Sequence, residues 1–324
     1  MLILLWIVSG GWFWNKPKEI KATEILMDTT VAVKIYTRDV KKGKHIIEKA
    51  FEEARRIERI MEANKGNGEL RRLNTRKRFG RFGISPELRD VIKAARSHYE
   101  MSGGAFDPTI APVKWLWNFE DDGRVPSESE MQDAIRLVGF SRIELRGDSL
   151  QFDDLQTKLD LGGVAKGYVV DRMIDRLRQG GIQSIIINAG GDIATFGTKP
   201  GGEAWVIGLR HPRLPRTLVL SWNPYPAVAT SGDYQRYFME NGRRYHHILD
   251  PKTGYPAEDC VSVTVWTTNA MVADILATTI FVLGPEKGIE LAEKLENVET
   301  CIFYEKDGRV DKVLSSGVKG RIGI

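Results

Sequence analysis

The sequence predicts a single large α+β unit with mixed and antiparallel sheets flanked by helices. Three observations support this fold class. Segments rich in Thr, Val and Ile alternate with segments of helical periodicity along the chain. At 324 residues and 42% hydrophobic composition, the chain can bury a large core. It contains no internal repeat, low-complexity tract or proline-rich linker that would divide it.

The first half of the chain alternates strand and helix, with the folded part expected to begin near Lys21. The second helix has clear end signals, with Ser85 as N-cap, Pro86 in the first turn and a Gly103-Gly104 stop. The elements predicted here are a strand pair or long strand over residues 22–37, helices over 44–64, 85–103 and 127–137, and a hairpin over 142–152 turning at Gly147-Asp148.

The second half opens with a strand, a glycine-rich turn, a helix and another strand. Short strands then precede two helices and a closing hairpin. The predicted elements are a helix over 164–178, strands over 184–188, 205–209, 217–222 and 262–266, helices over 271–283 and 288–295, and a hairpin at Lys306-Asp307-Gly308.

Charge and cysteine content exclude some classes of protein. The net charge of +4 comes from 47 basic and 43 acidic residues that are interspersed, so we expect no nucleic-acid partner. The mild positive excess fits an anionic small ligand, and it fits an ordinary solvated surface equally well. Cys260 and Cys301 match no zinc or redox spacing and are expected to be core thiols, with a single bridge left open for an exported protein.

The first fourteen residues, MLILLWIVSGGWFW, are almost wholly apolar but shorter than the roughly 20 that a spanning helix needs. They resemble an export signal or anchor remnant, although a charged first region is missing. The alternatives are an apolar tail packed on the domain and a misplaced start codon. We therefore separate residues 1–20 from a folded domain over 21–324. Export would mean a periplasmic or cell-envelope location, with inner-membrane anchoring as an option.

Glycines and acidic residues cluster at five places, each at the end of a strand or the start of a helix. Ligand sites are usually built at such positions. Any one cluster alone is explained as simply by a tight turn. The clusters are residues 104–109, 160–167, 188–192, 230–234 and 246–251.

Together these stretches resemble the ApbE family of FAD:protein FMN transferases. The matching sequences, in family order, are DLGGVAKGY, NAGGDI, ATSGDY, HHILDPKTG and ADILATTIFVLG, and the resemblance runs from about Met27 to the carboxyl end. It implies a transferase that cleaves FAD between its phosphorus atoms, transfers FMN to a threonine hydroxyl of an acceptor protein, and releases AMP. The implied acceptors are exported subunits of membrane redox complexes.

The glycine turn suits a diphosphate on physical grounds. Gly162 and Gly163 precede a helix, so backbone N–H groups and the positive helix end can face an anion, while Lys166 adds charge one turn inside. The alternative for Lys166 is a solvent-facing helix lysine. The resemblance also assigns Asp160 to the flavin-nucleotide site, where it could accept from ribose or adenine donors.

Asp274 and Thr278 lie four residues apart on an apolar helix, so their oxygens project from one face. The resemblance implies that they bind Mg²⁺ together with a backbone carbonyl of the glycine-rich loop, which we assign to Ala165. Hard oxygen donors suit magnesium. Without the resemblance, Asp274 is equally a hydrogen-bonding acid inside a helix.

The adjacent histidines His246 and His247 point to opposite faces if they lie on a strand, so one of them is expected to face the site. By resemblance it is His247, a base for the incoming threonine hydroxyl. A structural histidine bonded to backbone is the alternative. Asp250 is expected to orient His247.

The resemblance adds five positions that hold FAD, and Phe106 among them could equally belong to the core. Two departures from the family weaken this part: Asp28 stands where glycine is usual, and Asn64 replaces a frequent tyrosine. The five positions are Met27, Ala105, Phe106, Asp107 and Ile248.

Two other functions remain open on the sequence. FAD pyrophosphatase activity, giving FMN and AMP, would use the same residues. A non-catalytic flavin-binding protein would need neither the metal pair nor His247. A dehydrogenase is disfavoured because the G-x-G-x-x-G spacing is absent.

Overall fold

The computed structural model describes residues 7–8, 16–214, 218–221 and 223–320. The helices are α1 (Val40–Met61), α2 (Glu69–Asn74), α3 (Pro86–Ser102), α4 (Ala111–Trp117), α5 (Glu128–Ile135), α6 (Ala165–Gln179) and α7 (Ala270–Lys294). The strands are β1 (Ile7–Val8), β2 (Lys18–Leu26), β3 (Thr29–Thr37), β4 (Gly80–Gly83), β5 (Ile143–Arg146), β6 (Ser149–Phe152), β7 (Ile185–Ala189), β8 (Asp192–Phe196), β9 (Gly208–Arg210), β10 (Leu218–Ser221), β11 (Ala227–Gly232), β12 (Tyr237–Glu240), β13 (Arg243–His246), β14 (Ser262–Thr267), β15 (Glu299–Lys306) and β16 (Arg309–Leu314).

A nine-stranded sheet forms the centre of the molecule, in the order β1-β2-β3-β7-β8-β11-β14-β15-β16. Its neighbouring strands are antiparallel. The strand pair predicted over 22–37 is β2 and β3, joined at Met27 and Asp28 with φ of 52° and 54°. Asp28 thus takes the left-handed conformation that glycine adopts at least cost, at the position where the resemblance implies glycine. The predicted α+β class is confirmed.

Both faces of the sheet are covered. On one face, α1 and α6 pack on β3 and β7 through residues such as Phe51 and Val169, and α7 packs on β11 and β14. The other face carries a smaller core around Trp266 and Phe303. Strand β14 is consequently buried along its whole length. The two helices predicted over 271–283 and 288–295 are halves of α7, which kinks at Gly284 (φ 81°, ψ 173°) before Pro285.

Most other predicted elements lie within a few residues of their expected bounds. The strand expected over 205–209 was misplaced: the strand in this region is β9, Gly208–Arg210. Trp205 and Ile207 are buried apolar residues that lie before it, outside any strand. In the described part of the chain, three small sheets accompany the main one: β4-β6-β5, β10-β9 and β12-β13. Cys260 and Cys301 are buried and unbridged, as expected of core thiols.

The apolar amino-terminal segment lies mostly outside the described residues. Its Ile7 and Val8 form β1, which pairs antiparallel with β2 at Lys21 and Ile20. Within residues 7–8, 16–214, 218–221 and 223–320, no helix combines the length and apolarity needed to cross a bilayer.

Candidate active site

A cavity of about 470 Å³ opens beside the amino-terminal ends of α6 and α7, and residues from all five sequence clusters line it. This size is within the usual range for a small-molecule site. Strand ends and helix starts from distant parts of the chain therefore meet at one place. The predicted site residues that line it are Met27, Ala105, Phe106, Asp107, Asp160, Ala165, Lys166, His247, Ile248, Asp274 and Thr278.

The Asp274 carboxylate lies against the first turn of α6, which directly follows the glycine turn. Lys166 Nζ is 3.0 Å from Asp274 Oδ1 and 2.7 Å from Asp192 Oδ2, and Gly167 N–H donates to Asp274 Oδ2 at 3.1 Å. Burial alone would lower the pKa of Lys166, but the two carboxylates raise it above its ordinary value. Burial and the charge of Asp274 raise the pKa of Asp192 to about 7, with Lys166 opposing. The Lys166 ammonium is therefore engaged by carboxylates, whereas the sequence predicted a charge directed at a phosphate.

Two features fix the approach of α6 to α7. The carboxylate of Asp171, on α6, accepts from Ala270 N–H at 2.8 Å and Met271 N–H at 2.9 Å, so it supplements Asn269, the N-cap of α7, whose Oδ1 accepts from Val272 N–H. A methyl group on Gly167 would lie 2.2 Å from Ala270 O, which means that the helices touch through bare backbone. Burial raises the pKa of Asp171 to about 6 despite these hydrogen bonds.

Thr278 lies one helical turn after Asp274 and faces the same turn. Its Oγ1 is 3.3 Å from Ser231 Oγ, and a Cβ on Gly163 would lie 3.3 Å from it. The same Cβ would lie 3.1 Å from Phe106, so a side chain at 163 would fill this corner. Phe106 belongs both to the core and to the cavity wall.

The oxygen atoms around this corner suit a hard cation. Asp274 and Thr278 supply a buried carboxylate and a hydroxyl, and Ala165 lines the cavity at the first turn of α6. Such donors match Mg²⁺ and not zinc. In the described ranges no three His, Cys, Asp or Glu side chains gather as a metal cluster.

A second ion pair lies at the other side of the turn. Lys114 Nζ, from α4, is 2.7 Å from Asp160 Oδ2, while Asp160 Oδ1 accepts from Gly162 N–H at 2.9 Å. Burial favours the neutral acid, yet Lys114 and the Gly162 N–H hold the pKa of Asp160 below its ordinary value. Asp160 is thus an anion fixed on the glycine turn.

Of the two adjacent histidines, His247 reaches the cavity. Its Nδ1 lies 3.2 Å from the Arg236 carbonyl, which can only accept, so Nδ1 carries the hydrogen and Nε2 is free to accept a proton. Burial, reinforced by Lys114 and Arg236, lowers the pKa of His247 to about 3. His246 instead bonds the Ala257 carbonyl at 2.9 Å and packs edge-on against Phe281.

Asp250 does not orient His247, contrary to expectation. Asp250 Oδ1 accepts from Lys252 N–H at 2.9 Å and organises its own turn. The orienting group is the backbone carbonyl of Arg236, which also accepts the His247 backbone N–H at 3.1 Å. A backbone atom provides no sequence signal, so side-chain reasoning missed it.

The remaining predicted residues lie on the cavity wall. Met27 N–H bonds Glu58 Oε1 at 2.5 Å, and Ala105 and Ile248 are buried. Asp107 Oδ1 accepts from both Thr109 N–H and Thr109 Oγ1, and burial raises the pKa of Asp107. Asp107 is therefore held by its own loop.

Sequence reasoning missed four residues beside the predicted set, counted within the described part of the chain. Lys114 and Asp171 had no assigned role, and Asp192 and Ser231 were parts of glycine clusters without a function of their own. The signal for Asp192 was present, since an acid follows two glycines at the start of a strand. The other three require the tertiary contacts.

Fold and cavity define a class of protein: an α+β unit with a glycine turn, a buried carboxylate pair and a neutral histidine around one cavity fitted to an anionic nucleotide. Residues 27–303 match the model of the ApbE family, and the chain belongs to this family.

The relatives that this chain matches are FAD:protein FMN transferases. The FAD:protein FMN transferase of Treponema pallidum is 30% identical over 95% of this chain and 90% of its own length. That of Vibrio cholerae is 34% identical over 79% of this chain and 78% of its own length. The solved structure of the flavin transferase ApbE from Vibrio cholerae has a TM-score of 0.83 at 30% identity, covering 94% of this chain and 99% of that chain.

Proposed function

We propose that this chain is a Mg²⁺-dependent FAD:protein FMN transferase, which moves FMN from FAD to a threonine hydroxyl of an acceptor protein and releases AMP. The single observation that best supports it is the contact of Asp274 with the first turn of α6, directly after the glycine turn, through Lys166 Nζ and Gly167 N–H. The names of the relatives support the same reaction.

Asp274, Thr278 and the Ala165 carbonyl are the groups that would hold the ion. When bound, Mg²⁺ neutralises diphosphate oxygens and stabilises charge on the departing AMP. Lys166 orients Asp274, because its ammonium bridges that carboxylate to the carboxylate of Asp192. Asp171 and Gly167 hold α6 and α7 at the distance that this arrangement requires.

His247 is the proposed base. Its Nε2 takes the proton of the threonine hydroxyl as the hydroxyl oxygen bonds to the phosphorus of the FMN half. The bond from that phosphorus to the bridging oxygen breaks, and AMP leaves with the oxygen. Burial keeps His247 unprotonated at neutral pH, and the charge of a bound diphosphate would raise its pKa towards the working range.

The test is incubation of the protein with FAD and Mg²⁺, with and without an acceptor domain. Transfer predicts a fluorescent acceptor band under ultraviolet light and AMP in equal amount. Rapid release of free FMN without any acceptor would favour the pyrophosphatase reaction instead. FAD that stays intact in both samples would contradict both enzymatic functions and leave a flavin-binding protein.

The acceptors are proposed to be exported domains of membrane redox complexes, and the location to be the periplasm or cell envelope. The apolar residues 1–14 support export. Cell fractionation with sequencing of the mature amino terminus tests this; a protein with intact Met1 in the cytosol would contradict it.

A further inference from the structure

Lys114 is a second lysine at the glycine turn, and no part of the sequence pattern pointed to it. It lies on α4, and its side chain is 19% exposed. A Cβ on Gly162 would lie 3.2 Å from Lys114 Nζ, so the ammonium sits against the backbone of the turn. Lys114, Gly162 and Gly163 all line the cavity.

The two lysines differ in their remaining hydrogen-bonding capacity. Lys166 contacts two carboxylates, those of Asp192 and Asp274. Lys114 contacts one, and Asp160 is the one acceptor that the described residues offer it. An ammonium has three donors, so two donors of a largely buried lysine remain for a ligand.

A backbone donor beside Lys114 is also available. Asp160 takes the Gly162 N–H, but in the described part of the chain no group accepts from the N–H of Gly163. Gly163 is half-buried at the cavity wall, and a site that gathers donors without protein acceptors favours an anion. Oxygens of a diphosphate have the charge and the number of lone pairs to satisfy them.

We propose that Lys114 is the lysine that binds the diphosphate of FAD at the Gly162-Gly163 turn, while Lys166 serves to position Asp274. This inference rests on the proposed function, since it concerns the same substrate. The phosphate contact is thereby assigned to Lys114 on α4, and not to Lys166, the lysine of the DLGGVAKGY stretch on α6. Removing the charge of Lys114 should weaken FAD binding about tenfold to a hundredfold, as expected for a lost hydrogen bond to a charged group.

The test compares three flavins that share a ring and differ in phosphate. Dissociation constants for FAD, FMN and riboflavin are measured by flavin fluorescence in EDTA, so that no divalent ion carries the phosphate contact or permits cleavage. The variants are Lys114→Met, of similar length without charge, and Lys114→Arg, which keeps the charge. Lys93→Met, at an exposed position of α3, is the matched control.

The expected result is selective. Lys114→Met should weaken FAD and FMN about tenfold or more and leave riboflavin within about twofold, whereas Lys114→Arg and Lys93→Met should change little. An equal loss for all three flavins, or unchanged FAD binding, would overturn the inference. A wild-type protein that binds none of them overturns the proposed function itself.

Loss of Lys114 also leaves Asp160 without its ion pair, which could disturb folding. The double variant Lys114→Met/Asp160→Asn also removes the unpaired charge of Asp160, and it therefore tests the phosphate contact separately from the ion pair. If Lys114 contacts the phosphate, the double variant should bind FMN more weakly, relative to riboflavin, than the single variant Asp160→Asn does. The same FMN-to-riboflavin ratio in both variants would overturn the inference.

Discussion

Gly167→Ala tests whether the close approach of α6 to α7 builds the active site. The added methyl would lie 2.2 Å from Ala270 O and 2.7 Å from Met271 Cα, both backbone atoms that no rotamer change can move. Relieving the contact requires the helices to separate by about 1 Å, because carbon contacts are normal near 3.5–4.0 Å. Overpacking of this kind costs about 1–3 kcal/mol of unfolding free energy.

The same displacement acts on the site. Gly167 N–H and the neighbouring Lys166 Nζ both hold Asp274, at 3.1 Å and 3.0 Å, so separated helices stretch both contacts. A misplacement of about 1 Å can lower a rate about 100-fold. We therefore expect Gly167→Ala to be less stable and to transfer FMN about 100-fold more slowly.

Urea denaturation measures the stability change, and the initial rate of acceptor fluorescence measures transfer. The control is Gly83→Ala, since a methyl there has no neighbour within 4 Å. Wild-type stability together with a wild-type rate in Gly167→Ala would refute the reasoning. A loss of stability with an unchanged transfer rate would mean that the close packing of α6 on α7 stabilises the fold but is not needed for catalysis.

Further variants test the histidine and the helix cap. His247→Ala should retain FAD binding in a fluorescence titration but lose most transfer, and full activity would end its assignment as the base. Because the folded pKa of His247 is about 3 and its ordinary value is 6.5, the unfolded chain takes up this proton first and stability falls as the pH drops below 6.5. His247→Gln should therefore reduce the stability lost between pH 6.5 and pH 4 by about 2–3 kcal/mol, with exposed His45→Gln unchanged; equal pH profiles would contradict the buried neutral state. Asp171→Ala should cost about 1–2 kcal/mol in urea denaturation, because Ala270 N–H and Met271 N–H at the start of α7 lose their acceptor, while Asp175→Ala on the exposed side of α6 costs little; equal effects would contradict this role of Asp171.

Local signals predicted the helices and strands well. Ser85 accepts from Leu88 N–H, and Gly103 closes α3 in the left-handed conformation, so both ends of that helix are encoded by neighbouring residues. The strand predicted at 205–209 failed because apolar character alone does not distinguish a buried loop from a strand. Tertiary packing decides such segments.

The site was predictable as a set of residues, but not in its internal contacts. The resemblance predicted one site for Asp160, Lys166, His247 and Asp274, and in the structure all four line one cavity. Asp274, one of the two carboxylate partners of Lys166, lies 108 residues away, so no local pattern shows that the charge of Lys166 is engaged. Lys114 lies on a seven-residue helix whose N-cap makes no side-chain hydrogen bond, and its role depends on α4 packing beside the glycine turn.

Paramagnetic broadening by Mn²⁺, substituted for Mg²⁺, reports directly whether a divalent cation held by α7 touches the flavin diphosphate. Phosphorus NMR of bound FAD in an acceptor-free sample should show both diphosphate resonances broadened in the wild-type protein. In Asp274→Asn and Thr278→Val this broadening should be lost while FAD stays bound. Equal broadening in all three proteins would mean that the ion is held elsewhere.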